Sequence, residues 1–181
     1  MAAMTELNGS GALEPGIAAA VIGAFGVSLQ ERLRGFPSEV LVFHPAAEHW
    51  CVNEVVGHLI EAERRGFAGR IREMLEADDP VFVTWDQPSV AAARHDCERA
   101  PEELIGEFVG LRAESARLVA GLSDADLERA GEHPDVGRLR VTDVMHEWVH
   151  HDANHDRQIL ANVQAAVWPH MGNARRFSQP S

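Results

Sequence analysis

His151 and His155 stand four residues apart in the segment Trp148-Val149-His150-His151-Asp152-Ala153-Asn154-His155-Asp156-Arg157-Gln158-Ile159. On a helix this spacing sets two side chains on one face, one turn apart. A third histidine, His58, lies far upstream in Val55-Val56-Gly57-His58-Leu59-Ile60. Two helices packed side by side would bring the three imidazoles to one point. Three nitrogen ligands and an open fourth position make a reactive zinc-type centre. The ion in such a centre lowers the pKa of a bound water or deprotonates a bound thiol. Taken singly, His58 reads as an ordinary hydrogen-bonded core residue and the late pair as a surface coincidence, so the metal reading stands on all three meeting. His44, His49, His95, His133, His146 and His170 read as solvated or structural.

Hydrophobic periodicity supplies the elements that would position them. Pro15 suits the first turn of a helix, and Val21, Phe25, Leu29 and Leu33 then repeat every four residues until Gly35-Phe36-Pro37 ends the pattern. Residues 36–49 read as a connection. A second helix runs from about Val52 to about Glu76, with Val52, Val55, Val56, Leu59, Ile60 and Ala62 as its apolar side and His58 at the border. Cys51 and Glu54 have capping-box spacing, with cysteine in place of serine or threonine, which predicts a weak cap. A third helix starts at Pro101, carries Leu104, Phe108, Leu111, Ser115, Leu118 and Leu122, and stops at Gly121. Ser123 to Leu127 reads as a short capped turn and Gly131 to Arg140 as a loop. Thr142 is the expected N-cap of a fourth helix whose one side holds Val144, Trp148, His151, His155 and Ile159. Trp50 and Trp148 read as core residues.

Four long helices and no strand pattern specify an all-α fold: a four-helix bundle with a long connection between helices two and three. That connection, residues 77–100, reads as irregular and carries Trp85, Asp86, His95 and Cys97; long loops of this kind often cover a site. The expected division is a flexible N-terminal tail at 1–14, the bundle at 15–167 and a C-terminal tail at 168–181.

Composition narrows the function classes. With 28 acidic against 16 basic residues the net charge is −12, which disfavours nucleic acid and anionic membrane as partners. Hydrophobic residues make up 45% of 181 positions, ordinary for one globular domain. No apolar run approaches the roughly 20 residues that span a bilayer, and Met1 to Gly11 lacks the basic start and apolar run of a signal peptide. Cys51 and Cys97 form neither a disulfide framework nor a paired-cysteine zinc motif, so a reduced, cytoplasmic setting is expected.

The segment Trp50-Cys51-Val52-Asn53-Glu54-Val55-Val56-Gly57-His58-Leu59, with Glu63 five residues after His58, resembles the start of the second helix in the DinB-like (DinB/YfiT) superfamily. The run His151 to Ile159, a histidine, three residues, a histidine, two residues and Gln158, resembles that superfamily's last-helix signature. Phe82 to Arg94 and the helix from Pro101 also resemble it, so the similarity covers roughly residues 15–165. The resemblance implies a four-helix bundle in which His58, His151 and His155 bind a divalent metal, nickel or zinc, and it implies a homodimer. It further implies an enzyme acting on a small-molecule substrate, either a hydrolase or a transferase using a low-molecular-weight thiol. The departures are Cys51 at the cap and an extra histidine, His150. Some relatives replace one histidine by glutamate, and Glu147 has the spacing for that role.

Two classes of function remain: a metal-dependent enzyme, and a non-catalytic protein in which the metal stabilises the bundle. In the enzyme, Asp152 or Glu61 would orient an imidazole from behind. An open coordination position favours the enzyme and a closed four-ligand site favours the structural role. Val52, Ile60, Val149 and Val163 widen the apolar stripes, which fits a dimer.

Overall fold

The computed structural model describes residues 12–178; the parts of the expected tails at 1–11 and 179–181 lie outside the described residues. Helix α1 spans Pro15–Leu33, with Pro15 in its first turn. Its buried face is Ala18, Ala19, Ile22, Gly26, Leu29 and Leu33, whereas Val21 is exposed and Phe25 half-buried. The expected stripe thus holds at Leu29 and Leu33 and is shifted by a residue before them, to Ile22 and Gly26. At Gly26 a Cβ would stand 2.9 Å from Arg112 Cγ, so the glycine lets that long side chain cross beneath α1. One turn, α2 (Ser38–Leu41), interrupts the connection that follows.

The expected second helix is three pieces: α3 (Val52–Glu61), a π turn (Ala62–Gly66) and α4 (Ala68–Glu76). The Phe67 N–H reaches back five residues to the Ala62 carbonyl at 2.8 Å, which inserts the extra residue of a π-bulge. The connection at 77–100 is more ordered than expected. It contains α5 (Gln87–Arg94) and a 3-10 turn (Asp96–Glu98). Helix α6 spans Pro101–Ala120. Helix α7 (Asp124–Leu127) is capped by Ser123, whose N–H donates to Asp126 Oδ2 at 2.9 Å while its Oγ accepts from Asp126 N–H.

The expected loop at 131–140 is a hairpin: β1 (Ala130–His133) pairs antiparallel with β2 (Gly137–Arg140), Ala130 opposite Arg140 and His133 opposite Gly137. Gly137 takes φ 79°, the left-handed conformation that glycine adopts without strain. Helix α8 spans Val141–Val167, two residues ahead of the expected start. Arg140, not Thr142, is its N-cap, because the Asp143 carboxylate accepts from the Arg140 N–H at 3.0 Å. Beyond α8 the expected tail is a 3-10 stretch, Trp168–Phe177.

Helix α1 packs on α6 and α8, and α3 packs on the same two. Helices α1 and α3 therefore occupy opposite corners of the four-helix bundle, joined by the crossing connection that holds α2. Apolar burial falls into two bodies. Ile22, Ile71, Met74, Phe82, Val119, Val144 and Trp148 fill one, and Leu29, Val52, Val56, Leu59, Leu104, Phe108 and Ile159 fill the other. Between them lies a charged layer. Arg112, 2% exposed, donates to Asp152 Oδ1 at 2.9 Å and faces Glu63 Oε1 at 2.9 Å, its guanidinium lying over Phe108, Phe25 and Trp148.

Val52 and Ile60, expected to widen the stripes for a partner, are fully buried within the chain. Cys51 and Cys97 are joined as a disulfide, contrary to expectation; the fold closes a gap of 46 residues that composition alone does not reveal. Among the described residues no helix is long and apolar enough to cross a membrane.

Candidate metal centre

His58 sits on the last full turn of α3, inside an apolar face that extends from Val52 to Ile60. His151 and His155 follow Trp148 along the inner side of α8, and the buried Asp152 between them is held by Arg112. That ion pair fixes the rotation of α8 about its axis and so aims both imidazoles at α3. The structure brings His58, His151 and His155 together: their ligand nitrogens all lie within 4.8 Å of one another. His58 Nε2 and His151 Nε2 are 3.1 Å apart, and the ring centroids are separated by 5.2, 4.6 and 4.4 Å.

The surroundings are apolar and aromatic. Trp50 and Trp85 both lie near the His58 ring, with centroids 5.3 and 6.1 Å from it. Phe67 meets His151 edge-on at 4.9 Å and stacks on Trp148. The π turn thus gives Phe67 its place beside the histidines, and the 77–100 segment supplies Trp85. Trp148 is a core residue as expected; Trp50, expected there too, flanks the site instead. The enclosure disfavours the charged form of every ring. Burial, then the neighbouring His155, pushes His58 down from 6.5 to about 4. Burial, then His155, His58, Arg112 and His150, pushes His151 down to about 3. Burial lowers His155 as well, opposed by its hydrogen bond to Gln158.

Three neutral imidazoles suit a metal ion. His155 Nδ1 is 2.9 Å from Gln158 Oε1. An amide oxygen can only accept, so the ring proton sits on Nδ1 and the Nε2 lone pair faces the cluster. Two nitrogens on one tetrahedral zinc-type ion stand about 3.3 Å apart, close to the separation of His58 and His151. The donor set, three nitrogens in an apolar shell, fits a divalent ion of the zinc and nickel class.

Other expected participants are elsewhere. Asp152 does not orient an imidazole, since Arg112 takes both its oxygens. Glu61 is also engaged, by Arg65 and Arg94 at 2.7 Å each. Burial works to raise its pKa, and those hydrogen bonds outweigh it. Glu147 is exposed and outside the cluster, and so is His150. His146 fastens the segment just ahead of α1, its Nε2 accepting from Leu13 N–H at 2.9 Å. Gln158 is the orienting group that residue-by-residue reading passed over, although it stands one turn beyond His155.

The sequence profile of the DinB superfamily matches residues 27–159. The chain belongs to the DinB superfamily. It is 25% identical over 145 residues to the uncharacterised protein YuaE of Bacillus subtilis, covering 73% of this chain and 86% of YuaE. It is 25% identical over 120 residues to a Bacillus licheniformis protein whose name describes a hydrolase inferred to depend on metal, covering 66% of this chain and 68% of that protein. Its fold matches YfiT of Bacillus subtilis, described as a probable metal-dependent hydrolase with an unusual four-helix bundle topology. The TM-score is 0.77 at 16% identity, over 89% of this chain and 92% of YfiT. The diagonal placement of α1 and α3 is this member's departure from a simple up-and-down bundle.

Proposed function

We propose that this DinB-superfamily member is a metal-dependent hydrolase of a small molecule, with His58, His151 and His155 as the metal ligands. One observation carries the reading: among the described residues the cluster offers three ligand side chains and no fourth. Three protein ligands with a vacant position distinguish a catalytic zinc-type site from a structural one. The inferred activities named for the Bacillus licheniformis relative and for YfiT lend support.

A divalent ion held here supplies Lewis acidity and water activation near neutral pH. The chain's own residues do the rest. Burial keeps the three imidazoles neutral, so no proton competes for their lone pairs. Gln158 fixes the tautomer of His155. Trp50, Phe67 and Trp85 exclude bulk water from the rings, which strengthens electrostatic interactions inside the pocket. Of the carboxylates near the histidines in sequence, Asp156 pairs with Arg32, and Glu61 and Asp152 are bound by arginines and act as structural anchors, not as proton carriers.

The test is elemental analysis of the purified chain, followed by hydrolysis of a panel of activated esters and amides. About one divalent ion per chain is expected, with activity lost on chelation and restored by the ion. His151→Ala should lose metal and activity while keeping its helical circular dichroism. Full metal retention in that variant, or thiol conjugation to electrophiles with no hydrolysis by the intact chain, would overturn the hydrolase reading.

A further inference from the structure

A second cluster of metal-type donors lies at the opposite end of α3 from His58. His44 Nε2, Cys51 Sγ, a Glu54 carboxylate oxygen and Cys97 Sγ all lie within 4.8 Å of one another. These groups come from three separate segments: the connection after α2, the first turn of α3, and the 3-10 turn after α5. The fold assembles them, not local sequence. We propose that Cys51 and Cys97, once reduced, form with His44 and Glu54 a second, closed site for a zinc-type ion. This rests on nothing assumed for the histidine centre.

The donor set decides the class of ion. Two sulfurs, one imidazole and one carboxylate are the ligands of tetrahedral zinc sites, and thiolates disfavour calcium and magnesium. The groups are already aimed inward. Glu54 Oε2 accepts from the Cys51 N–H at 2.8 Å and lies 3.0 Å from His44 Nε2. The same His44 nitrogen faces Cys97 Sγ at 3.7 Å. The Cys51 and Cys97 Cα atoms are 7.1 Å apart, beyond the usual disulfide range of about 4.4–6.8 Å. Two thiolates sharing an ion are under no such limit. Cys51 is buried at the N-cap of α3, where the helix dipole favours its thiolate.

The two states exchange by a balanced reaction. An external dithiol reduces the Cys51–Cys97 bond in a two-electron exchange; its own sulfurs become joined, and Cys51 and Cys97 are released as thiols. Binding a divalent ion then displaces one proton from each thiol. In the oxidised state the sulfurs are joined to each other and the site is closed to metal.

Cobalt(II) titration of the full chain, reduced by a phosphine under anaerobic conditions, tests this. A near-ultraviolet thiolate-to-cobalt charge-transfer band should appear, and zinc should bleach it. Nitrogen ligands give no such band, so the histidine centre is silent in this readout. The disulfide-bonded chain should show no band, and His151→Ala should keep it. Cys97→Ser, which leaves a single thiolate, should weaken it sharply. His44→Ala, an exposed position where unfolding is no concern, should move the titration to higher cobalt. No band in the reduced chain, an undiminished band in Cys97→Ser, or a titration unmoved by His44→Ala would each overturn the proposal.

Discussion

Gln158 is the residue that sets how His155 presents its Nε2 lone pair to the histidine cluster. Its amide oxygen accepts the Nδ1 proton at 2.9 Å and so holds the ring in one tautomer and one orientation. Gln158→Ala should weaken metal binding by roughly 10–100-fold, the usual cost of losing such a partner, and competition with a chromogenic chelator would read it. Helicity should not change. The rings also carry a pH signature with a definite sign. His58 and His151 are depressed from 6.5 to about 4 and about 3. The unfolded chain therefore takes up protons as pH falls below 6.5, while the folded, metal-free chain refuses them until about 4 and about 3. Stability is fully present above 6.5 and is lost on acidification. Urea midpoints of the metal-free protein should fall more between about pH 7 and about pH 5 than those of His151→Ala. Equal slopes would show that these rings are not kept neutral by burial.

At this scale the sequence was readable for the histidines, because helical spacing singles out the late pair, the helical segment around Val55–Ile60 carries His58, and the family resemblance joins the three. It was not readable for Arg112, since a charged residue in an amphipathic helix reads as surface. Nor was it readable for Cys51 and Cys97, whose pairing depends on where the 77–100 segment folds back.

At the scale of elements, the α3 face opposite the bundle is as constrained as the face that carries His58. Asp96 lies against Gly57, held by Arg94, whose Nε donates to Asp96 Oδ2 at 2.6 Å. A Cβ at Gly57 would come within 2.5 Å of Asp96 Cγ and far closer to its carboxylate oxygen. Gly57→Ala should therefore destabilise the chain by roughly 1–3 kcal/mol, the usual range for overpacking, although alanine is the better helix former. Chemical denaturation checks this; a stabilised variant would mean that the Asp96 loop yields freely. The boundaries of α1, α6 and the α3–α4 pair follow periodicity, proline and glycine closely. The hairpin at 130–140 escaped detection because its strands, Ala-Gly-Glu-His and Gly-Arg-Leu-Arg, contain no β-branched or aromatic residue. Pairing and the bridge from Val81 to Glu132 hold them instead. The π turn likewise left no mark in the pattern, since one extra residue only shifts the phase of the apolar stripe.

Taken as a whole molecule, the bundle divides into two apolar bodies with the histidine cluster and the Arg112 layer between them, and these two have different relations to stability. Each apolar body is filled by large side chains from several helices, so the fold does not depend on the metal as a zinc finger does. The charged layer does not tolerate partial removal. Glu63 and Asp152 are both buried, and burial raises the pKa of each against the pull of Arg112. Arg112→Met would keep the volume and leave two carboxylates without a counter-charge. A loss of roughly 3–5 kcal/mol is expected, as for a buried pair deprived of one partner. Asp152 lies beside His151, so the same variant should also bind metal more weakly through misalignment of α8. Stripping metal from the unaltered chain should lower the unfolding midpoint only by the linked binding energy and leave the circular dichroism helical. The comparison separates the two roles. If Arg112→Met unfolds no more readily than the metal-free chain, the charged layer is dispensable and the orientation of α8 rests on the apolar bodies alone.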